Sequence, residues 1–149
     1  MNQKTAVIRA VCISEKKGER KHPVPAIHLR PGHGIDGDAH AGNWHRQISL
    51  LGQESADAMQ SRTDVPLDPG VFAENIRCEG IMLRELPVGS RLWIGTALCE
   101  VTQIGKECHA DCEIRRQTGD CAMPREGIFA IVLSEGDAKA GDLITVPEE

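Results

Sequence analysis

The sequence predicts a mainly β protein that forms a closed or nearly closed β-barrel with a few short helices. Short segments rich in β-branched residues recur between turns, without a strict alternation of strands and helices. Among 149 residues there are two Phe, two Trp and no Tyr, so the core must consist mainly of aliphatic side chains. A barrel is favoured because closure removes exposed strand edges. We expect one domain over residues 1–149.

The N-terminal segment predicts two strands separated by a polar loop. Thr5–Ser14 (TAVIRAVCIS) is rich in β-branched residues and predicts a strand that is buried on both faces over part of its length. The basic cluster Lys16–His22 (KKGERKH) predicts a solvated loop. Val24–Leu29 predicts a second strand. Pro23 and Pro25 indicate a sheet edge or a strand start, because proline cannot donate to a central ladder.

The next segment predicts a long loop, a short strand and a short helix. Arg30–Arg46 (RPGHGIDGDAHAGNWHR) contains four Gly and three His without periodicity, which is typical of a loop. Loops of this length are usually functional or mobile. Ile48–Leu51 predicts a strand and Glu54–Arg62 a helix, which Pro66 and Pro69 prevent from continuing.

The remaining elements are a β-hairpin and two closing strands. Val88–Ile94 and Ala97–Ile104 each alternate between apolar and polar residues, and Gly95-Thr96 between them predicts a two-residue turn. Gly127–Ser134 is the most apolar strand, and Asp142–Val146 closes the domain. No regular pattern is evident in Val71–Ile76, Ile81–Leu86 and Gly105–Pro124.

The composition excludes several classes of function. The formal net charge is −5, and no basic face with interleaved aromatic residues is evident, so we expect no nucleic-acid partner. No apolar segment has the length of a signal peptide or of a transmembrane helix, so we expect a cytoplasmic protein without membrane attachment. The six cysteines should then be mostly reduced.

Three cysteines lie close together in a polar, glycine-flanked segment, and Cys108 is the leading candidate for chemistry. Neighbouring cations lower the pKa of a thiol and favour the reactive thiolate. Cys108 is then a nucleophile or a ligand of a soft metal. Two alternatives remain open: a structural zinc site with Cys112, Cys121 and His109, or inert cysteines with a Cys108–Cys112 disulfide under stress. The plausible cations are Lys106, His109, Arg115, Arg116 and Arg125.

A second candidate site is the glycine-rich loop together with the polar residues that follow it. A calcium-binding EF-hand is excluded because the twelfth position counted from Asp36 is Gln47 and not Glu. Backbone N–H groups freed by glycine, with an arginine fork, suit an anionic ligand, although an ordinary surface loop is an equal alternative. Farther along the chain, Glu74 and Asn75 either brace a turn or contact a ligand.

The order and spacing of four motifs resemble the MOSC domain family, named after the C-terminal domain of molybdenum-cofactor sulfurases. The motifs are IDGDAHAGNWHRQISLL, FAENI, LPVGSRLWIGTALCEVTQIGKECH and MPREGIF, and the resemblance extends over residues 34–146. It implies a distorted closed barrel like that of pyruvate kinase. It also implies a key cysteine, which corresponds to Cys108 and either ligates the molybdenum of a pterin cofactor or carries sulfur as a persulfide.

The resemblance also implies a cofactor, molybdopterin with molybdenum or its tungsten analogue, and a set of contacts to it. Cys108 is the expected catalytic residue and metal ligand. The expected cofactor-binding residues are Asp36, Gly37, Asp38, His40, Arg46, Gln47, Ser49, Asn75 and Arg125. Compared with the better-known relatives, we expect neither an upstream pyridoxal-phosphate desulfurase domain nor the extra N-terminal domain of amidoxime-reducing members.

These differences leave the reaction open. If the protein is an enzyme, we expect a sulfur transferase or a molybdenum-dependent reductase of N-hydroxylated compounds, with a cysteine desulfurase or a molybdoenzyme as partner. The alternatives are a non-catalytic carrier of the cofactor or partner-binding module, and a structural zinc protein.

Overall fold

A closed seven-stranded barrel is the main feature of the computed structural model, which describes residues 4–16, 19–61, 63–64, 66–105 and 127–147. In chain order its elements are β1 (Lys4–Ile13), β2 (His22–Val24), β3 (Ile27–Arg30), β4 (Gly34–Ile35), β5 (Ile48–Gly52), α1 (Gln53–Gln60), β6 (Ile76–Glu79), a 3-10 turn (Leu83–Glu85), β7 (Arg91–Ile94), β8 (Ala97–Ile104), β9 (Ile128–Ser134), β10 (Gly136–Ala138) and β11 (Leu143–Val146).

The barrel wall runs β1–β11–β7–β8–β9–β5–β6 and closes where β6 pairs with β1. β2 pairs with the second half of β1, and β10–β3–β4 form a small separate sheet. The predicted mainly β barrel is therefore confirmed, and the expectation of one domain over the full length stays a prediction. Neither helix in the described ranges combines the length and apolar character that crossing a bilayer requires.

The burial pattern of β1 differs between the two halves of the strand. In its first half Ala6 and Ile8 point into the core between exposed neighbours, as expected for a strand with one solvent-exposed face. In its second half Val11 and Cys12 are both buried, because the segment around Gly70 covers the outer face there. The prediction of a strand buried on both faces over part of its length is confirmed.

The predicted hairpin is confirmed as β7 and β8, and its turn requires glycine for two reasons. Gly95 has a φ of +59°, which glycine adopts without steric strain. A Cβ at this position would also lie 2.2 Å from the carbonyl oxygen of Asp137, which no side chain can tolerate. The hairpin turn is therefore packed tightly against the start of β10.

Two predicted boundaries are wrong. The single strand expected over Val24–Leu29 is two strands, β2 and β3, because the chain bends at Pro25-Ala26 and the two strands join different sheets. The segment Arg30–Arg46 is not loop throughout, since it includes the last residue of β3 and the two-residue strand β4. A pairing this short depends on tertiary contacts and leaves no periodic signal in the sequence.

Strands β5 and β6 run parallel, and α1 lies in the connection between them. Parallel neighbours need a crossover connection because a tight turn can only reverse the chain. Both strands therefore begin at the same end of the barrel. Ser49, near the start of β5, and Asn75, just before β6, are brought together in this way.

A buried ion pair between Glu74 and Arg77 fixes the end of this crossover. Both side chains are inaccessible to solvent, with 2.6 and 2.7 Å between their charged atoms. The Arg77 guanidinium also donates to the side chain of Gln53 and to the carbonyl oxygens of Leu67 and Asp68. All five N–H donors of the guanidinium are thus used, as a charge buried in a protein requires.

Arg77→Met should destabilise the fold by about 3–5 kcal/mol, because it leaves the Glu74 carboxylate buried without a countercharge. The double variant Glu74→Gln/Arg77→Met removes both charges, so it should lose less stability than Arg77→Met alone. Urea unfolding of the three proteins measures the difference. An equal or larger loss in the double variant would contradict this account of the pair.

The folded state should also respond to pH through His28 in β3. Its ring nitrogens lie 2.6 Å from Asp137 and 2.6 Å from Glu135. The hydrogen bond to Asp137, and after it the one to Glu135, raises the pKa of His28. The resulting stabilisation is complete below the unfolded-state pKa of about 6.5 and is lost as pH rises through the higher folded-state pKa.

We therefore expect an NMR titration to give His28 a pKa above 6.5, and the Asp137→Asn variant to lower it. His28→Gln should remove this part of the pH dependence of the free energy of unfolding. A wild-type His28 that titrates at or below the ordinary value would contradict the geometry.

Candidate functional site

Several strand ends meet at one end of the barrel, around Phe129. Phe129 in β9 is paired with Ser49 in β5 on one side and with Gln103 in β8 on the other. Next to it, the backbone N–H of Gly105 donates to the carbonyl oxygen of Gly127 at 2.7 Å. We call this region the Phe129 end of the barrel. Residues 106–126, which include Cys108, are attached to the barrel through these two glycines.

Arg46 lies at the Phe129 end, where its guanidinium contacts two aromatic rings. The guanidinium carbon lies 5.2 Å from the centre of the Trp44 ring and 5.6 Å from that of Phe129. Its Nε is buried and has no hydrogen-bond partner among the residues that the structure describes. A contact between a cation and a ring face uses none of the N–H donors of the guanidinium. Such a group can receive an anion.

Trp44 is held in turn by the glycine-rich loop. Its indole N–H donates to the carbonyl oxygen of His40 at 2.8 Å, and its ring lies parallel to the His40 imidazole, 5° apart in plane and 6.3 Å between centroids. The backbone N–H of Trp44 donates to the carbonyl oxygen of Gly42. Successive ring contacts thus link His40, Trp44, Arg46 and Phe129, and we call this series of contacts the stack.

The stack rests on a buried ion pair between Lys21 and Asp38. Lys21 Nζ lies 2.7 Å from Asp38 Oδ1, 3.1 Å from Ser14 Oγ and 3.0 Å from His40 Nδ1, so its three protons are all engaged. An ammonium group has no lone pair, so His40 Nδ1 must accept, and the ring carries its proton on Nε2. Burial lowers the pKa of Lys21, and the nearby Asp38 carboxylate opposes that effect.

The environment of Lys21 corrects one prediction. The cluster Lys16–His22 was expected to be a solvated loop, yet Lys21 is only 2% exposed. It is buried because Asp38 and Ser14 from two other segments surround its ammonium group, while its backbone N–H donates to the carbonyl oxygen of Gly70. Those partners are distant in sequence, so the basic cluster gave no sign of them.

Ser49 and Asn75 form a fully buried brace between three segments. The Asn75 carboxamide accepts from the Ser49 backbone N–H and donates to the carbonyl oxygen of Cys12, both at 3.0 Å. The Ser49 hydroxyl is 3.2 Å from the carbonyl oxygen of Ala73, a residue held at a φ of +62°. A non-glycine residue seldom adopts this conformation, and the surrounding hydrogen bonds hold it there.

The other predicted contacts of the loop are Gln47, Asp36 and Gly37. Gln47 is buried and accepts from the backbone N–H of Val132 at 3.0 Å. Asp36 is exposed and pairs with Arg30, at 2.8 Å. Gly37 is exposed with a φ of +83°. The structure thus joins Asp38 with His40 and Ser49 with Asn75, and the roles of all these residues toward a cofactor stay predictions.

The cysteine segment lies outside the described residues. Cys108, Cys112, Cys121 and Arg125 all belong to it, so the expectations of a metal ligand, of a sulfur carrier and of a zinc site stay predictions. Within the described ranges, no cluster of three or more His, Cys, Asp or Glu side chains is arranged to hold a metal ion. The cysteines that are described are free and buried: Cys12, Cys78 and Cys99.

Sequence reasoning missed two residues of this region. No sequence pattern indicated that Lys21 is buried, because the side chains that surround its ammonium group lie in other segments. Phe129 was visible only as the end of the MPREGIF motif, and its contact with the Arg46 guanidinium depends on the pairing of β9 with β5. The scarcity of aromatic residues was a usable clue, since two of the four large aromatics, Trp44 and Phe129, flank one arginine.

The barrel, with its glycine-rich loop and the polar turn before β6, is that of a recognised protein class. The chain belongs to the MOSC domain family, whose domain it matches over residues 36–145. The predicted family membership is confirmed, and this family is associated with binding of the molybdenum cofactor. No curated protein matches the chain in sequence.

Solved structures of similar fold extend over nearly the whole chain. The YuaD protein of Bacillus subtilis is 22% identical with a TM-score of 0.80, and the match covers 99% of each chain. YiiM from Geobacillus stearothermophilus is 21% identical with a TM-score of 0.73, over 95% of this chain and 75% of that one. YiiM from Escherichia coli is 15% identical with a TM-score of 0.66, over 100% and 71%. At these identities the likeness establishes the fold.

The three buried thiols should be chemically silent in the folded protein. Burial raises the pKa of Cys12, Cys78 and Cys99 to about 12 each, so almost no thiolate is present at pH 8. We expect brief alkylation with iodoacetamide at that pH, followed by peptide mass spectrometry, to leave these three unmodified. The same treatment in urea should modify them, and rapid labelling of any of the three in the folded protein would contradict the prediction.

Proposed function

We propose that this protein binds the molybdenum cofactor at the Phe129 end of the barrel, with the pterin phosphate at Arg46 and the Cys108 thiolate at the metal. The observation that carries the proposal is the Arg46 guanidinium, which contacts two aromatic rings and has a buried Nε without a hydrogen-bond partner in the described part of the chain. A buried charged donor without a partner is costly, and a bound anion would remove that cost.

The chemistry of arginine fits a phosphate. Its planar fork forms paired, charge-assisted hydrogen bonds to phosphate oxygens, and these are about twice as strong as neutral ones. The contrast with the two buried cations Lys21 and Arg77 supports this role, because each of them has a buried carboxylate as partner. Arg46 has no ion pair with any described residue, so its countercharge is proposed to come from the ligand.

Cys108 is the proposed thiolate because of its chain distance from the Phe129 end. It follows Gly105 by three residues, and three residues of chain span at most about 11 Å. Gly105 adjoins Gln103, whose side chain contacts His45 next to Arg46 at 2.9 Å. Thiolate is the preferred protein ligand of soft metals and also the group that carries sulfur as a persulfide. The cofactor, when bound, would supply a redox-active molybdenum or tungsten.

The remaining predicted contacts have supporting roles in this proposal. Asp38 and His40 hold the glycine-rich loop through Lys21, and Gln47 fixes the start of β5. Ser49 and Asn75 brace the adjoining turn. Asp36 and Gly37 offer a polar, exposed edge of the loop, and Arg125 adds a second cation near the thiol in sequence.

Two modes of action are proposed for this site. In one, the protein transfers sulfur or reduces N-hydroxylated compounds in the cytoplasm, with a cysteine desulfurase or another molybdoenzyme as partner. In the other, it carries the cofactor without turnover. Activity that depends on Cys108 distinguishes the first from the second, which requires reversible pterin binding alone.

Elemental analysis of freshly purified protein should detect molybdenum or tungsten in the wild type. Cys108→Ser should abolish metal retention if the thiolate ligates the metal. Arg46→Met should lower cofactor occupancy about tenfold or more at limiting cofactor, because it removes charge-assisted hydrogen bonds of about 1.5–3 kcal/mol. Circular dichroism should show an unchanged fold in both variants.

Arg91→Met is the matched control, because Arg91 is exposed on the outside of the barrel and faces Glu100 at 3.6 Å. This variant should retain the metal. Stoichiometric molybdenum in Cys108→Ser would contradict the assignment of Cys108 as a metal ligand. Stoichiometric zinc in the wild type would favour the structural zinc site with Cys108, Cys112 and Cys121.

A further inference from the structure

The orientation of Arg46 depends on Trp44 more than on any polar partner. Among the contacts of the described residues, those of the Arg46 guanidinium are the two ring faces, at 5.2 Å for Trp44 and 5.6 Å for Phe129. A cation over an aromatic face is attracted by the negative charge density above the ring, most strongly over an indole. A contact with a ring face also uses no N–H group, so the two rings occupy none of the guanidinium donors.

Trp44 is suited to orient Arg46 because its own position is fixed by contacts with His40. Its N–H bond to the His40 carbonyl and its parallel contact with the imidazole set the plane of the indole. His40 is fixed by Lys21, and its backbone N–H donates to Asp38 Oδ2 at 3.1 Å. A rigid buried ion pair thus determines, through two stacked rings, where the guanidinium lies.

We infer that Trp44 is a positioning residue for phosphate binding, which holds the Arg46 guanidinium in place by its ring face. The inference rests on the proposed function, in which Arg46 receives the phosphate of the ligand. A carboxylate in the same position would also orient Arg46, but it would occupy the donors and repel the phosphate. An aromatic ring orients the cation and leaves both its charge and its donors to the ligand.

A purely structural role for Trp44 predicts a different result. If the indole only filled space in the loop, its replacement would lower stability and leave the phosphate affinity of the folded protein unchanged. If it positions Arg46, the affinity falls while the barrel stays folded. The expected loss is about 2- to 30-fold, which corresponds to a cation–π contribution of about 0.5–2 kcal/mol.

The test is an NMR titration of the whole protein with inorganic phosphate at constant ionic strength. The Arg46 Nε–H resonance, assigned by its disappearance in Arg46→Lys, is followed in the wild type, Trp44→Leu and Trp44→Phe. Trp93→Phe is the matched control, because Trp93 lies on the outer surface, 41% exposed, and should not affect the response.

We expect Trp44→Leu to shift the phosphate-free resonance, through loss of the ring current, and to weaken phosphate binding within the stated range. Trp44→Phe keeps an aromatic face and should recover part of the affinity. This variant provides the test if Trp44→Leu does not fold. A wild-type resonance that does not respond to phosphate overturns the phosphate role of Arg46. A wild-type response that the folded Trp44 variants retain in full overturns the positioning role alone.

Discussion

The structure depends on the buried polar turn that joins α1 to β6. Two parallel strands must be connected by a long crossover, and closing such a connection is costly in chain entropy. Here the crossover is held by hydrogen bonds and an ion pair: Arg77 bonds to Glu74 and to two backbone carbonyls, and Asn75 links β1 to β5. Because every donor of Arg77 is satisfied, the charge is tolerated in the interior. This buried turn also helps to fix the Phe129 end of the barrel.

A second buried ion pair performs a similar task for the glycine-rich loop. Glycines give that loop its backbone freedom, which on its own would leave it without a defined shape. Asp38 and Lys21 connect it to the segment after β1, and the His40–Trp44 stack extends this order to Arg46. The two ion pairs are internally neutralised, whereas Arg46 is not paired with any described carboxylate. This difference in charge compensation separates the cations that hold the fold from the one that we propose to bind a ligand.

The barrel fold recurs in solved structures of low sequence identity. The barrel is shared with proteins of about one-fifth sequence identity, such as YuaD at 22%, so its shape tolerates replacement of about four-fifths of its residues. Cores of similar volume and pattern can be built from many side chains. A binding site is more demanding, because it needs particular donors at particular positions, and Arg46 is the donor that we propose for this role.

The sequence by itself determined the barrel, the β7–β8 hairpin, the doubly buried part of β1 and the family, because each left a local signal of periodicity, turn residues or ordered motifs. Only the tertiary structure decided that Lys21 is buried, that β5 and β6 are parallel, and that Val24–Leu29 divides between two sheets. It also decided that Phe129 stacks on Arg46. These features arise from contacts between residues far apart in the chain, and the free energy of such contacts depends on burial and distance, which no local pattern encodes.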